Sequence, residues 1–287
     1  MAKVEIQGAA LECVESGAGA PIVLVHGSAS DLRTWQGQRE PLARRHHVIA
    51  YSRRYHWPNE PIADGADYSM AQHVDDLQAL LRTLNAVPAH LVGHSYGAFL
   101  CLLLALRDPV LVRSLVLAEP PAITLFVSSE PKPWELLKVM LARPRTASAI
   151  VRFGAQGVVP ARKAFRQGDP EAAVRSFADA VFGPGGFERM PEGRRRQVQD
   201  NLSNIKAEIL GPGFAPLRGK ALRALRVPVL LVTGEHSMPL FQCLIDRLAE
   251  LLPSTQRVQI PGASHAMHDD NPSAFNAAVL RFLDGMT

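Results

Sequence analysis

The chain has 287 residues, 47% of them hydrophobic and 20% charged. This balance excludes a disordered or membrane composition and suits one large α/β domain or a core domain with an insertion. A formal charge of +4 would permit an anionic partner, but apart from Arg53-Arg54 and Arg194-Arg195-Arg196 the basic residues are scattered, so no nucleic-acid-binding stripe is formed.

Cys13, Cys101 and Cys243 lie far apart in an odd count, without a C-x-x-C pair. With no secretory pattern at the N-terminus and no apolar run long enough to span a bilayer, a reduced, cytoplasmic protein without membrane insertion is expected.

In chain order, residues 3–7 and 22–25 read as short strands, the second apolar throughout as in a buried parallel strand, with Ser16-Gly17-Ala18-Gly19 as the turn between them. Residues 46–51 read as a strand, 67–85 as an amphipathic helix, 89–92 as a strand and 98–106 as a buried helix. Residues 112–118 form another apolar strand, which stops at Glu119-Pro120-Pro121. From there to Leu222 no β pattern survives, and helix-like stretches occur at 134–141, 172–181 and 194–210. The α/β rhythm resumes with a strand at 228–233, a helix at 240–252, a strand at 256–260 and a terminal helix at 272–283. The alternation predicts an α/β fold with a mostly parallel, doubly wound sheet. Its core spans residues 1–120 and 222–287, and 121–221 form an inserted helical cap.

Between the strand at 89–92 and the helix at 98–106 lies Gly93-His94-Ser95-Tyr96-Gly97, a Gly-x-Ser-x-Gly pentapeptide. Glycines on both sides allow a turn tight enough to expose a serine hydroxyl at a helix N-terminus, the form of a nucleophile elbow. Three more motifs accompany it: Val25-His26-Gly27-Ser28 early, Val232-Thr233-Gly234-Glu235 late, and Pro261-Gly262-Ala263-Ser264-His265 near the C-terminus. In this order the four resemble the α/β-hydrolase superfamily, in its serine hydrolase or esterase branch with a helical cap. The resemblance implies Ser95 as nucleophile and His265 as its base. It implies an oxyanion hole from the backbone N–H groups of Ser28 and Tyr96, with Gly27 allowing close approach of that loop. His94 is expected to orient the elbow. Neither a metal nor an organic cofactor is implied.

The sequence departs from the family pattern at the acid. Many relatives carry an Asp three residues after the glycine of the late motif, and here that position is Ser237. Glu119, at the C-terminal end of an apolar strand where some branches place their acid, is the preferred candidate, because a carboxylate there requires a partner or a function. Glu235 is the nearest rival. Asp269 and Asp270 follow His265 closely and suit the N-terminus of the final helix. His268 lacks the companions of a metal site.

A serine elbow points to hydrolysis of an ester or lactone of a small, largely apolar molecule through an acyl-enzyme. Two alternatives are carbon–carbon bond hydrolysis of a vinylogous diketone and a non-catalytic ligand receptor on the same fold. Gly27, Trp35, Phe126, Trp134 and Met267, together with Tyr96, are candidates for the substrate pocket. Arg53 or Arg54 could meet an anionic group, with structural pairing to an Asp as the alternative role. The partner is a small molecule, and monomer and dimer fit the sequence equally.

Overall fold

The structure, a computed structural model, describes residues 2–63 and 65–286. Eight strands form one sheet: β1 (Ala2–Ile6), β2 (Ala9–Ser16), β3 (Pro21–Val25), β4 (His47–Tyr51), β5 (Ala89–His94), β6 (Val112–Ala118), β7 (Val229–Gly234) and β8 (Thr255–Ile260). Their spatial order is β1-β2-β4-β3-β5-β6-β7-β8. The first two pairings, β1 with β2 and β2 with β4, are antiparallel, and all the others are parallel.

Helices cover both faces because successive strand residues point to opposite sides. Val23, Val25, Leu91, Leu115 and Leu117 face one core, shared with α2 (Met70–Thr83) and α3 (Tyr96–Arg107). Ile22, Leu24, Val92, Val116 and Ala118 face the other, beneath α1 (Gln36–Ala43). The α3 helix is apolar nearly all round, as a helix buried against the sheet should be.

Between β6 and β7 the chain is helical: α4 (Pro133–Ala142), α5 (Pro144–Phe153), α6 (Val159–Arg166), α7 (Pro170–Phe182), the single turn α8 (Gly186–Arg189), α9 (Glu192–Asp200), α10 (Leu202–Leu210) and α11 (Gly219–Ala224). This segment has small cores of its own. One joins Phe165, Val174, Val198 and Ile205 to Ala29 of the loop after β3, and another joins Val139, Ile150 and Val181 to Phe241 and Leu244. The latter two belong to α12 (Pro239–Leu251), and the chain closes with α13 (Met267–Asp270) and α14 (Pro272–Asp284).

Two local expectations change. The β2 strand occupies residues read as the approach to a turn; it puts Leu11 and Cys13 into the core and seats Glu12 by donating its N–H to Asn59 Oδ1 at 2.7 Å. The stretch 194–210 is not one helix. It breaks at Asn201, whose Oδ1 accepts the Trp57 N–H and whose amide donates to Asp31 Oδ2, so distant partners replace local helical geometry.

Candidate active site

Ser95 joins β5 to α3 with φ 52° and ψ −120°, a left-handed conformation costing on the order of 1–3 kcal/mol in a non-glycine residue. Its N–H donates to Ala118 O at 2.8 Å, which fastens the elbow to the end of β6. A Cβ on Gly97 would lie 2.2 Å from Val25 O, so only glycine lets the elbow close on β3.

Glu119, the residue after β6, also has a positive φ, 47°. That turn sends its fully buried carboxylate sideways to the end of β7. There Oε1 accepts from Thr233 Oγ1 at 2.7 Å and from the Gly234 N–H at 3.0 Å. Oε2 lies 2.6 Å from His265 Nδ1. An ionised carboxylate only accepts, so Nδ1 carries the proton and Nε2 is left with a lone pair. The His265 ring stacks on Phe241 at a centroid distance of 4.0 Å, and its backbone carbonyl accepts from His94 Nε2 at 2.9 Å. Burial, followed by the nearby His268 and His265, holds His94 well below the ordinary histidine pKa, so it acts as a neutral donor.

Glu235 is elsewhere: its Oε2 accepts the Gly262 N–H at 2.7 Å at the surface. Ser237 is near the late motif with its Oγ buried and unpartnered among the described residues. Asp270 accepts from the N–H and hydroxyl of Ser264, and His268 meets Thr34 Oγ1 at 2.9 Å.

The loop after β3 comes close to the elbow. A Cβ on Gly27 would lie 3.1 Å from Ser95 Cβ and 2.9 Å from His94 Nδ1. Gly27 O accepts from His26 Nδ1 at 2.9 Å and from Arg53 Nη2 at 3.0 Å, while His26 Nε2 accepts the Arg53 N–H. In a trans peptide the N–H points opposite to the C=O. Arg53 and His26 thus aim the Ser28 N–H away from themselves. No sequence signal beyond the Arg53-Arg54 pair marked this clamp. Arg54 does pair with an Asp, donating twice to Asp76 at 2.7 and 2.6 Å.

The sequence profile of the alpha/beta hydrolase family matches residues 22–278, a span that contains all of these groups. The chain belongs to this family. This alpha/beta hydrolase is 26% identical over 283 residues to the 2-(acetamidomethylene)succinate hydrolase of Mesorhizobium japonicum, covering 98% of this chain and 94% of the relative. It is 29% identical over 323 residues to epoxide hydrolase A of Mycobacterium tuberculosis, covering 99% and 97%. In fold it is similar to a thermophilic esterase from Thermogutta terrifontis, with a TM-score of 0.76 at 22% identity over 100% and 99% of the two chains.

The hydrolase holds a cavity of about 440 Å³ that includes Ser28, Ser95 and Tyr96 and is walled mainly by apolar side chains such as Met70, Ile150 and Phe177. Glu208 of α10 enters this wall and accepts from Ser28 Oγ at 2.5 Å. Burial raises its pKa to about 7, against the smaller opposing effects of Ser28 and Arg53. Glu208 was not anticipated, because only folding brings it to Ser28, 180 residues away in sequence.

Five of the pocket candidates do not line this cavity, Gly27 being held against Ser95 and His94 at the elbow. Trp35 is fully buried against His268 and Phe275, and Met267 is buried in the same core. Trp134 is 56% exposed on α4. Phe126 packs on the Val139 and Leu240 cluster. Trp35, Met267 and Phe126 thus pack on surfaces of their own, which sequence position alone does not reveal. Among the described residues, no cluster of three or more His, Cys, Asp or Glu side chains could hold a metal ion, and no helix is long and apolar enough to cross a membrane.

Proposed function

We propose that the protein is a carboxylic ester hydrolase that cleaves an ester or lactone of a small, largely apolar molecule through an acyl-enzyme on Ser95. The observation that carries this reading is the 2.6 Å contact between His265 Nδ1 and a Glu119 carboxylate that is itself fixed by two donors. It leaves His265 Nε2 as the base for a serine on a strained turn.

Ser95 Oγ attacks the carbonyl carbon while His265 Nε2 takes its proton. Glu119 stabilises the resulting imidazolium. The oxyanion is met by the N–H of Ser28, aimed by the Arg53 and His26 clamp, and by the N–H of Tyr96, which opens α3 and has no partner within its own helix. Collapse breaks the ester C–O bond, and His265 returns the proton to the departing alkoxide. Water then repeats the sequence on the acyl-enzyme and releases the acid and free Ser95. In this reading residues 121–221 form a helical cap whose inner wall shapes the acyl pocket.

The test is turnover of a short 4-nitrophenyl ester by the wild type and by Ser95→Ala. Many turnovers per site, lost in the variant, support the proposal. Equal rates in both proteins contradict it.

A further inference from the structure

A second cavity, of about 1070 Å³, lies over the loop that carries His265, touching Ser264 and Ala266 on either side of it. Its walls differ in kind from those of the apolar cavity, since Arg33, Arg189, Arg194, Arg196, Asp200, Asp269 and Asp270 all reach it. Each of its carboxylates already has a partner, Asp270 accepting from the N–H and hydroxyl of Ser264. Asp200 is engaged by Arg33, and Asp269 lies 3.6 Å from His268 Nε2. Arg189 donates to the carbonyls of Pro184 and Phe182.

Arg194, in the first turn of α9, is different. Its Nη1 donates to Gln197 Oε1, and it has no carboxylate within ion-pair distance among the described residues. Gln197 is itself held through its amide, which donates to the buried Asp31 at 2.9 Å. The guanidinium is therefore oriented before any ligand arrives. What remains free, among the described residues, is the edge formed by Nε and Nη2.

That edge is the one this protein uses elsewhere to grip carboxylates. Arg33 donates through Nε and Nη2 to Asp31 at 2.9 and 2.7 Å, and Arg54 does the same to Asp76 at 2.7 and 2.6 Å. The planar fork matches a carboxylate's two oxygens. Arg194 also lies close to the reacting groups: after burial and the neighbouring histidines, its charge helps hold His94 below the ordinary histidine pKa.

We propose that the free edge of Arg194 binds a carboxylate of the substrate, which makes the cavity over the His265 loop an anionic subsite distinct from the apolar cavity. The substrate class is then an ester or lactone with an apolar portion at one end and a carboxylate at the other. This rests on the ester hydrolase reading for the identity of the bond, but not for the binding itself.

The experiment is calorimetric titration of the whole chain with 4-phenylbutyrate and with neutral 4-phenylbutanamide, in the wild type, Arg194→Gln and Arg194→Lys. The wild type is expected to bind the carboxylate roughly ten-fold or more tightly than the amide, as for a charged hydrogen-bonded pair. Arg194→Gln should bring the ratio to about one, with Arg194→Lys in between. An unchanged ratio in Arg194→Gln, or no preference for the carboxylate in the wild type, overturns the proposal. Because no bond is broken, that failure is separate from any failure of Ser95 to turn over an ester.

Discussion

Glu119 Oε2 stands 2.6 Å from His265 Nδ1 across 146 residues of sequence, and both side chains are buried. The relationship depends on the ends of three adjacent parallel strands. Glu119 directly follows β6, Thr233 and Gly234 end β7 and hold its other oxygen, and His265 follows β8. The register of the sheet thus brings a carboxylate to His265 although position 237 holds a serine.

Glu119→Gln keeps the size of the side chain but removes the charge and favours the wrong imidazole tautomer. The kcat for an aryl ester is expected to fall about 10³- to 10⁴-fold. Glu235→Gln, which alters only a surface contact to Gly262, should stay within a few-fold of wild type. Steady-state kinetics on both variants, with thermal melts to confirm folding, check this. If the Glu235 change alone abolishes turnover, the acid has been misassigned.

Arg53 tests the proposed oxyanion role of the loop after β3. It is buried with its Nε and Nη1 unpartnered among the described residues, while Glu208 and the Tyr96 ring, 4.6 Å from its Cζ, favour its charge; replacing it with Met removes the desolvation cost together with these attractions and should change Tm by only a few degrees. Losing the donor to Gly27 O lets the Ser28 peptide rotate, and kcat is expected to fall roughly 10- to 100-fold with a smaller change in KM. Wild-type kcat in a well-folded variant would show that the clamp has no part in the reaction.

Gly27→Ala introduces a methyl group 2.9 Å from His94 Nδ1 and 3.1 Å from Ser95 Cβ. The contact is local to the site. Activity should drop by about ten-fold or more while Tm falls by only a few degrees, as for about 1 kcal/mol of overpacking. Retention of full activity would show that the loop yields without cost.

Glu208 links stability to pH. Its pKa is raised from 4.5 to about 7 in the folded chain. Folding therefore retains a proton that the unfolded chain releases, and stability is lost as pH rises from about 4.5 through 7. The penalty above that window is on the order of 3 kcal/mol, from about 1.4 kcal/mol per unit. Glu208→Gln keeps an acceptor for Ser28 Oγ without the ionisation cost. Its Tm should exceed that of wild type at about pH 8, with a much smaller difference near pH 5. A constant difference across that range would contradict the assignment.

The sequence made the alternating sheet and the four loop motifs legible because they depend on local patterns: apolar runs for strands buried on both faces, and glycines where the chain turns back on itself. Glu119 was legible for the same reason, as a carboxylate ending an apolar strand ahead of two prolines. The β2 strand was not, since Glu12 and Glu15 interrupt its apolar residues and its pairing comes from β1 and β4. Asn201 broke a helix that local propensity would have continued, because Trp57 and Asp31 supply its hydrogen bonds. The placements of Glu208 and Arg194 were likewise hidden, since both are set by contacts between the helical segment and the rest of the chain. Trp35 and Met267 show the reverse problem. They follow motifs of the site in sequence, yet their side chains turn into the core beneath it.

The most direct test of the central claim is incubation of the folded protein with a fluorophosphonate, followed by intact and peptide mass spectrometry. The account predicts one adduct per chain, located on Ser95, with labelling strongly slowed in Glu119→Gln. No adduct in folded protein, or an adduct on another residue with Ser95 unmodified, would contradict it.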